Sequence, residues 1–243
     1  HVSVENLTPS GAEPHDLELS TDQRDAIDDA AVAFVLGGGF QPAVEAAAKT
    51  RDDPTVVLVD HLGKRGDAHD PHVWLDPALM IRIVDTVATA LGRADPRHRA
   101  DFDRRAAAVT AKLTALDTRY RDGLADCGHD TIVTSHEAFG HLASRYGLHQ
   151  FGVAGLAPDA EPDARRLGQL ADLVRARGIT TVFTEDLVSP RIARTLAREA
   201  GGVKTEVLSP IETLTPAQRR AHDDYVSVMD ANLAKLRVAL DCT

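Results

Sequence analysis

From Asp95-Pro96 the chain runs as far as Gly123 with no further glycine or proline. Within that run Phe102, Ala106, Val109, Leu113, Leu116, Tyr120 and Leu124 recur every three or four residues, which is the period of one helix face. A single helix of about 28 residues would be about 40 Å long at about 1.5 Å per residue. A coiled-coil segment and a long crossover helix both fit this pattern. The reading that organises the rest of the chain is a rigid spine between two lobes, because such a helix cannot flex like a Gly/Ser linker.

On either side of the spine, strand and helix patterns alternate, which predicts an α/β fold with parallel sheets. Strands are predicted over Val2–Leu7, Ala31–Leu36, Thr55–Val59, Thr131–Thr134, Gln150–Val153, Thr180–Thr184 and Thr205–Leu208. Helices are predicted over Asp22–Asp29, Pro42–Lys49, Pro77–Leu91, Ala138–Tyr146, Pro162–Arg177 and Arg191–Ala200, with a last one starting near Pro216. Gly92 is expected to end the helix that begins at Pro77. The predicted organisation is a lobe over 1–94, a linking helix over 95–125 and a second lobe over 126–243. The two halves repeat in architecture but share no sequence period.

The chain has a net charge of −10, which argues against non-specific nucleic-acid binding. No apolar run approaches the ~20 residues of a membrane span. His1–Leu7 already alternates like a strand, so the chain reads as starting mid-fold, with a signal or lipid anchor expected upstream. Two cysteines, Cys127 and Cys242, are either separate buried thiols or one disulfide tying the chain's end to its middle. A disulfide would point to an oxidising compartment.

Eleven histidines are present, and local setting ranks them. His15 follows Glu13-Pro14 in a Gly/Pro loop. His72 lies in Asp70-Pro71-His72-Val73-Trp74-Leu75-Asp76-Pro77, where prolines on both sides restrict the backbone beside the only tryptophan. His136 stands where the strand Thr131–Thr134 gives way to a helix. Glu185 and Asp186 stand at the equivalent end of Thr180–Thr184. In parallel α/β sheets such strand ends bind ligands. Three imidazoles and a carboxylate make a four-coordinate shell suited to Zn²⁺, whereas Mn²⁺, Mg²⁺ or Ca²⁺ prefer more oxygen donors.

His136-Glu137-Ala138-Phe139-Gly140-His141 imitates the H-E-x-x-H motif, but its histidines are five apart, which puts them about 140° apart on a regular helix. His141 is therefore expected at the surface or behind the ligands. His61 and His69 read as exposed loop residues, and His98, His129, His149 and His222 as structural or solvent-facing.

Taken together, several segments resemble the zinc branch of the metal-binding receptors of zinc and manganese ABC importers. They are Gly11-Ala12-Glu13-Pro14-His15-Asp16, the Asp70–Pro77 motif, Ser135-His136-Glu137-Ala138-Phe139-Gly140 with Tyr146-Gly147-Leu148, Gly155–Pro162, Val182-Phe183-Thr184-Glu185 and Thr195–Gly201. The resemblance implies two α/β lobes joined by one long helix, with the metal held between them. It implies His15 and His72 as ligands from the first lobe, and His136 with Glu185 from the second, Asp186 being the alternative fourth ligand. A histidine at the third position, where manganese relatives tend to carry Glu, favours zinc. The family's first strand and helix would lie before His1, and its His-rich loop is reduced here to His61 and His69. The expected function is extracytoplasmic capture of Zn²⁺ by a monomer that hands it to a membrane permease. A zinc hydrolase with Glu137 as general base, and an adhesin-like surface protein of the same fold, are the rival readings.

Overall fold

The computed structural model describes residues 1–63, 69–158 and 164–243. The chain divides into two compact units, His1–Ala115 and Leu116–Thr243, with the division falling inside the long helix. The start of the helix predicted from Pro162, and residues 64–68 of the loop before Asp70, lie outside the described residues.

In the first unit, α1 (Thr21–Asp29) begins with a capping box in which Ser20 and Gln23 satisfy each other's backbone amides. Strands β1 (Ala33–Val35) and β2 (Thr55–Val57) pair in parallel around α2 (Pro42–Ala48), with Phe34 opposite Val56. β1 stops where Gly37 takes φ +86°. A Cβ there would meet Val57 at 2.5 Å and Val59 at 2.8 Å, so the chain can turn against β2 only at glycine. Helix α3 (Pro77–Ala94) is capped by Asp76, which accepts from the amides of Ala78 and Leu79, and has Pro77 at its first position. It runs through Gly92 rather than ending there. One glycine near the end of a well-packed amphipathic helix costs only ~1 kcal/mol, and Asp95 terminates the helix instead.

A short 3-10 turn, Pro96–His98, precedes α4 (Arg99–Gly123), the long helix predicted from the missing glycine and proline. Phe102, Leu113, Leu116, Tyr120 and Leu124 of its stripe are buried, whereas Val109 in the middle is 42% exposed.

The second unit contains β3 (Thr131–Thr134), α5 (Gly140–Tyr146), β4 (His149–Gly152), α6 (Ala164–Ala176), β5 (Thr181–Thr184), α7 (Arg191–Glu199) and β6 (Lys204–Val207). These strands form a parallel sheet in the order β4-β3-β5-β6. Every residue of β3 and β5 is buried, as expected of central strands covered on both faces. From β3 the chain crosses to β4 on one side and then returns to β5 on the other. The carboxyl ends of β3 and β5 are therefore a topological switch point, where a parallel sheet leaves a crevice for ligand. α8 (Pro216–Arg220) and α9 (Tyr225–Ala239) complete the unit.

Among the described residues the first unit has β1 and β2 as its sheet and no strand over Val2–Leu7. That stretch alternates, but Val4 is 84% exposed and no neighbouring strand pairs with it, so the pattern had no apolar face to bury. The helix expected from Pro216 is two helices. His222 turns the chain at φ +58°, and Asp224 with Ser227 forms a fresh capping box for α9. Cys127 and Cys242 form a disulfide. No helix among the described residues is long and apolar enough to cross a membrane.

Asp117, on the part of α4 inside the second unit, accepts from Arg145 (2.7 and 2.8 Å), from the Tyr146 hydroxyl (2.9 Å) and from Arg121 (2.5 Å). The Arg145 hydrogen bonds hold its carboxyl below the usual range against the opposing effect of burial, with Tyr146 assisting. A carboxylate lowered on folding contributes stability above its unfolded value of 3.8, and that contribution is lost as pH falls further. Asp117→Ala is expected to cost about 2 kcal/mol at neutral pH, the scale of charge-assisted hydrogen bonds, and less at a pH below 3.8. Denaturant melts at the two pH values test this; equal losses would exclude the ionised form as the source.

Candidate metal centre

The first unit brings His15 and His72 together, with ring centroids 5.4 Å apart. The Asp70–Pro77 segment shows why. The Val73 amide donates to the Pro71 carbonyl, a 3-10 turn follows over Val73–Leu75, and Asp76 then caps α3. This folds Asp70 back onto His72. Asp70 Oδ1 accepts from the backbone amide of His72 at 2.9 Å and from its Nδ1 at 2.8 Å. His72 is fully buried and Asp70 nearly so. Phe40, just past the glycine turn, lies edge-on to His15 (4.7 Å) and to Trp74 (5.0 Å), and Trp74 flanks His72 at 5.2 Å. The lone tryptophan thus forms one wall of an aromatic enclosure around the two imidazoles.

In the second unit His136 stands at the switch point. The turn after β3 is held by the Thr134 hydroxyl and the Gln150 amide, which both donate to the His136 carbonyl. Gly152 at the end of β4 lets Glu137 and the Ala154 carbonyl approach closer than any side chain would allow. Glu185, just after β5, accepts from the His136 backbone amide at 3.0 Å and from its Nδ1 at 2.5 Å. Glu212 Oε1 lies 3.2 Å from His136 Nε2 on the other side of the ring. Burial alone would lower the His136 pKa, but the hydrogen bonds and charges of Glu185 and Glu212 outweigh it and raise it from 6.5 to about 10.

Asp186 is exposed, unlike its neighbour Glu185. His61 and His69 are exposed. His141 is buried rather than at the surface, and α5 begins only at Gly140, so His136 and His141 do not share a helix. Glu212 was not singled out from the sequence. It follows β6 in Ser209-Pro210-Ile211-Glu212, so the strand-end rule that selected His136 and Glu185 would have reached it if applied to the third strand.

Two α/β units built on parallel sheets, each presenting buried imidazole and carboxylate side chains on short turns, place the chain in the class of two-unit α/β proteins. Within that class the chain belongs to the family described as zinc-uptake complex component A, periplasmic, which it matches over residues 1–239. It is 36% identical to the zinc-binding lipoprotein AdcA of Streptococcus pneumoniae serotype 4, the alignment covering 99% of this chain and 52% of AdcA. The chain thus spans about half the length of that relative. It is 31% identical to the high-affinity zinc uptake system protein ZnuA of Bacillus subtilis, over 98% of this chain and 80% of ZnuA. The Zn(II)-bound ZnuA-like domain of S. pneumoniae AdcA superimposes with a TM-score of 0.82 at 36% identity, covering 98% of this chain and 91% of that domain.

Proposed function

We propose that the chain captures Zn²⁺ outside the cytoplasm and delivers it, as a monomer, to the permease of an ABC importer. The observation that carries this reading is the pair of buried histidines, one per unit, each already oriented by a carboxylate. His15, His72 and His136 supply imidazole nitrogens, and a carboxylate completes a shell suited to zinc. Glu212 is the better fourth ligand, since its oxygen lies beside His136 Nε2. Glu185, the expected choice, spends both oxygens on the amide and Nδ1 of His136, and Asp186 is exposed. Segments 1–94 and 126–243 act as the two lobes, with 95–125 as the helix between them. The relatives' names, which specify zinc binding and zinc uptake, support the same reading.

The chain does no catalysis in this reading. Glu137, the local candidate for a general base, is about two-fifths exposed and faces Arg166 at 3.4 Å. Metal analysis of the purified protein, followed by titration with Zn²⁺ against Mn²⁺, tests the proposal; tighter binding of Mn²⁺ would overturn it.

With its pKa near 10, His136 is protonated in the metal-free protein at about pH 7, so loading zinc must expel that proton. The raised value also contributes stability to the metal-free protein that is complete below 6.5 and lost as pH rises through about 10. Calorimetry in buffers of different ionisation enthalpy is expected to show proton release, with affinity dropping below about pH 6 as more imidazoles protonate. A flat affinity from about pH 5 to 7.5 would count against imidazole ligation.

A further inference from the structure

His72 and His136 lie in different units and different local folds, yet the same device holds each of them. One carboxylate accepts both the backbone amide and the ring Nδ1 of the histidine. For His72 it is Asp70, two residues earlier, at 2.9 and 2.8 Å through one oxygen. For His136 it is Glu185, from the neighbouring strand's end, at 3.0 and 2.5 Å through two oxygens. Both carboxylates are buried, 3% and 4% exposed. Buried carboxylates are costly unless satisfied, and here much of that satisfaction comes from donors of a single histidine.

Gripping backbone and ring together fixes the side-chain torsions of the histidine. An ionised carboxylate is an acceptor only, so the contact at Nδ1 requires that this nitrogen carry the hydrogen. The lone pair that a metal takes is then on Nε2, freed at His136 once loading expels the second ring proton, and the partial charge that ligation places on the ring is balanced at Nδ1.

We infer that Asp70 and Glu185 are positioning residues which preset Nε2 of His72 and of His136 as the metal-facing atoms. The inference rests on the zinc-binding reading above. Neither carboxylate touches the ion. Each holds its imidazole in one orientation before zinc arrives, with the hydrogen kept on Nδ1, so binding freezes little additional motion. Glu185 thereby changes role, from the fourth ligand expected from sequence to the partner of the third.

The test uses the full chain and zinc alone. Asp70→Ala and Glu185→Ala are each expected to lower zinc affinity about 10–100-fold, as loss of a histidine's outer partner does elsewhere. Asp70→Asn and Glu185→Gln keep an acceptor oxygen and are expected to recover a large part of that loss. Side-chain ¹⁵N spectra of the zinc-loaded wild type should show protonated Nδ1 and coordinated Nε2 for both residues. The Asp70 variants should disturb the His72 pattern alone, and the Glu185 variants the His136 pattern alone.

Coordination through Nδ1 in the wild type overturns the inference, and so do alanine variants that bind zinc within twofold of wild type. If an alanine variant fails to fold, the amide variants and the wild-type spectrum still decide. The zinc reading itself fails if the wild type does not bind zinc or binds Mn²⁺ more tightly, whereas unchanged binding by His72→Ala removes His72 from the shell. A wild type that binds, with His72→Ala impaired and Asp70→Ala normal, would overturn the positioning role and leave the zinc reading standing.

Discussion

His72→Ala is expected to weaken zinc binding by more than about 100-fold while leaving the fold of the first unit in place. Loss of a residue that only orients a metal-bound histidine already costs about 10–100-fold, and removing a ligand removes both the bond and that orientation. The fold should survive because the neighbouring anchors do not depend on the ring. Asp76 caps α3 through backbone amides, Leu62 and Val73 are buried among other apolar side chains, and Leu75 is fully buried. The cost to folding is a cavity beside Trp74 and an Asp70 carboxylate left with the residue 72 amide, on the order of 2–3 kcal/mol. His61→Ala, at an exposed position, is the matched control and should bind as wild type does. Isothermal titration alongside circular dichroism separates the two effects. Unchanged affinity in His72→Ala would remove His72 from the shell.

The parts of the fold that read most clearly from sequence are those where local chemistry and tertiary demand agree. β3 reads from Thr131 to Thr134 because a short β-branched run, buried on both faces, has nowhere else to go. The long helix reads from the lack of glycine and proline, and its stripe is buried at both ends. Val2–Leu7 shows the converse. Alternation identifies a strand only if a partner and an apolar surface exist, and neither follows from the residues themselves. The break between α8 and α9 is hidden in the sequence because no glycine or proline follows Pro216, and the apolar period that marks the last helix begins only at Tyr225, after the cap formed by Asp224 and Ser227.

At the site, His72 and His136 stood out from sequence because proline turns and strand ends are local signals. Glu212 did not, because it stands well past the end of the predicted strand Thr205–Leu208, deeper in its loop than His136 and Glu185 stand in theirs. The role of Asp70 was hidden for a different reason. In Asp70-Pro71 the sequence marks a turn, while the return of its carboxylate onto His72 depends on the 3-10 turn that follows.

Removing the disulfide is expected to produce the largest loss of stability, with no effect on zinc. Cys127 and Cys242 are 115 residues apart, so the bridge closes a long loop in the unfolded chain. Loop-closure entropy for that length corresponds to about 4–5 kcal/mol. The bridge is not the only link at this point. The amides of Gly128, His129 and Thr243 bond to the carbonyls of Asp241, Leu240 and Asp126, all at 3.0 Å, so the folded ends stay paired without it. The loss should therefore appear as a more disordered unfolded state, not as a changed native one. Both cysteines lie in the unit Leu116–Thr243, so the effect belongs to that unit's unfolding transition. For a unit of this size a loss of that scale lowers the midpoint by on the order of 10–20 °C. Cys127→Ser with Cys242→Ser, melted beside wild type with and without reductant, measures it. Reductant should lower the wild-type midpoint to that of the double variant and leave the double variant unmoved. Zinc titration of the folded double variant should match wild type, since neither cysteine belongs to the proposed shell. A midpoint shift of less than about 3 °C would show that the backbone pairing at 126–129 and 240–243, and not the covalent bridge, holds the end of the chain.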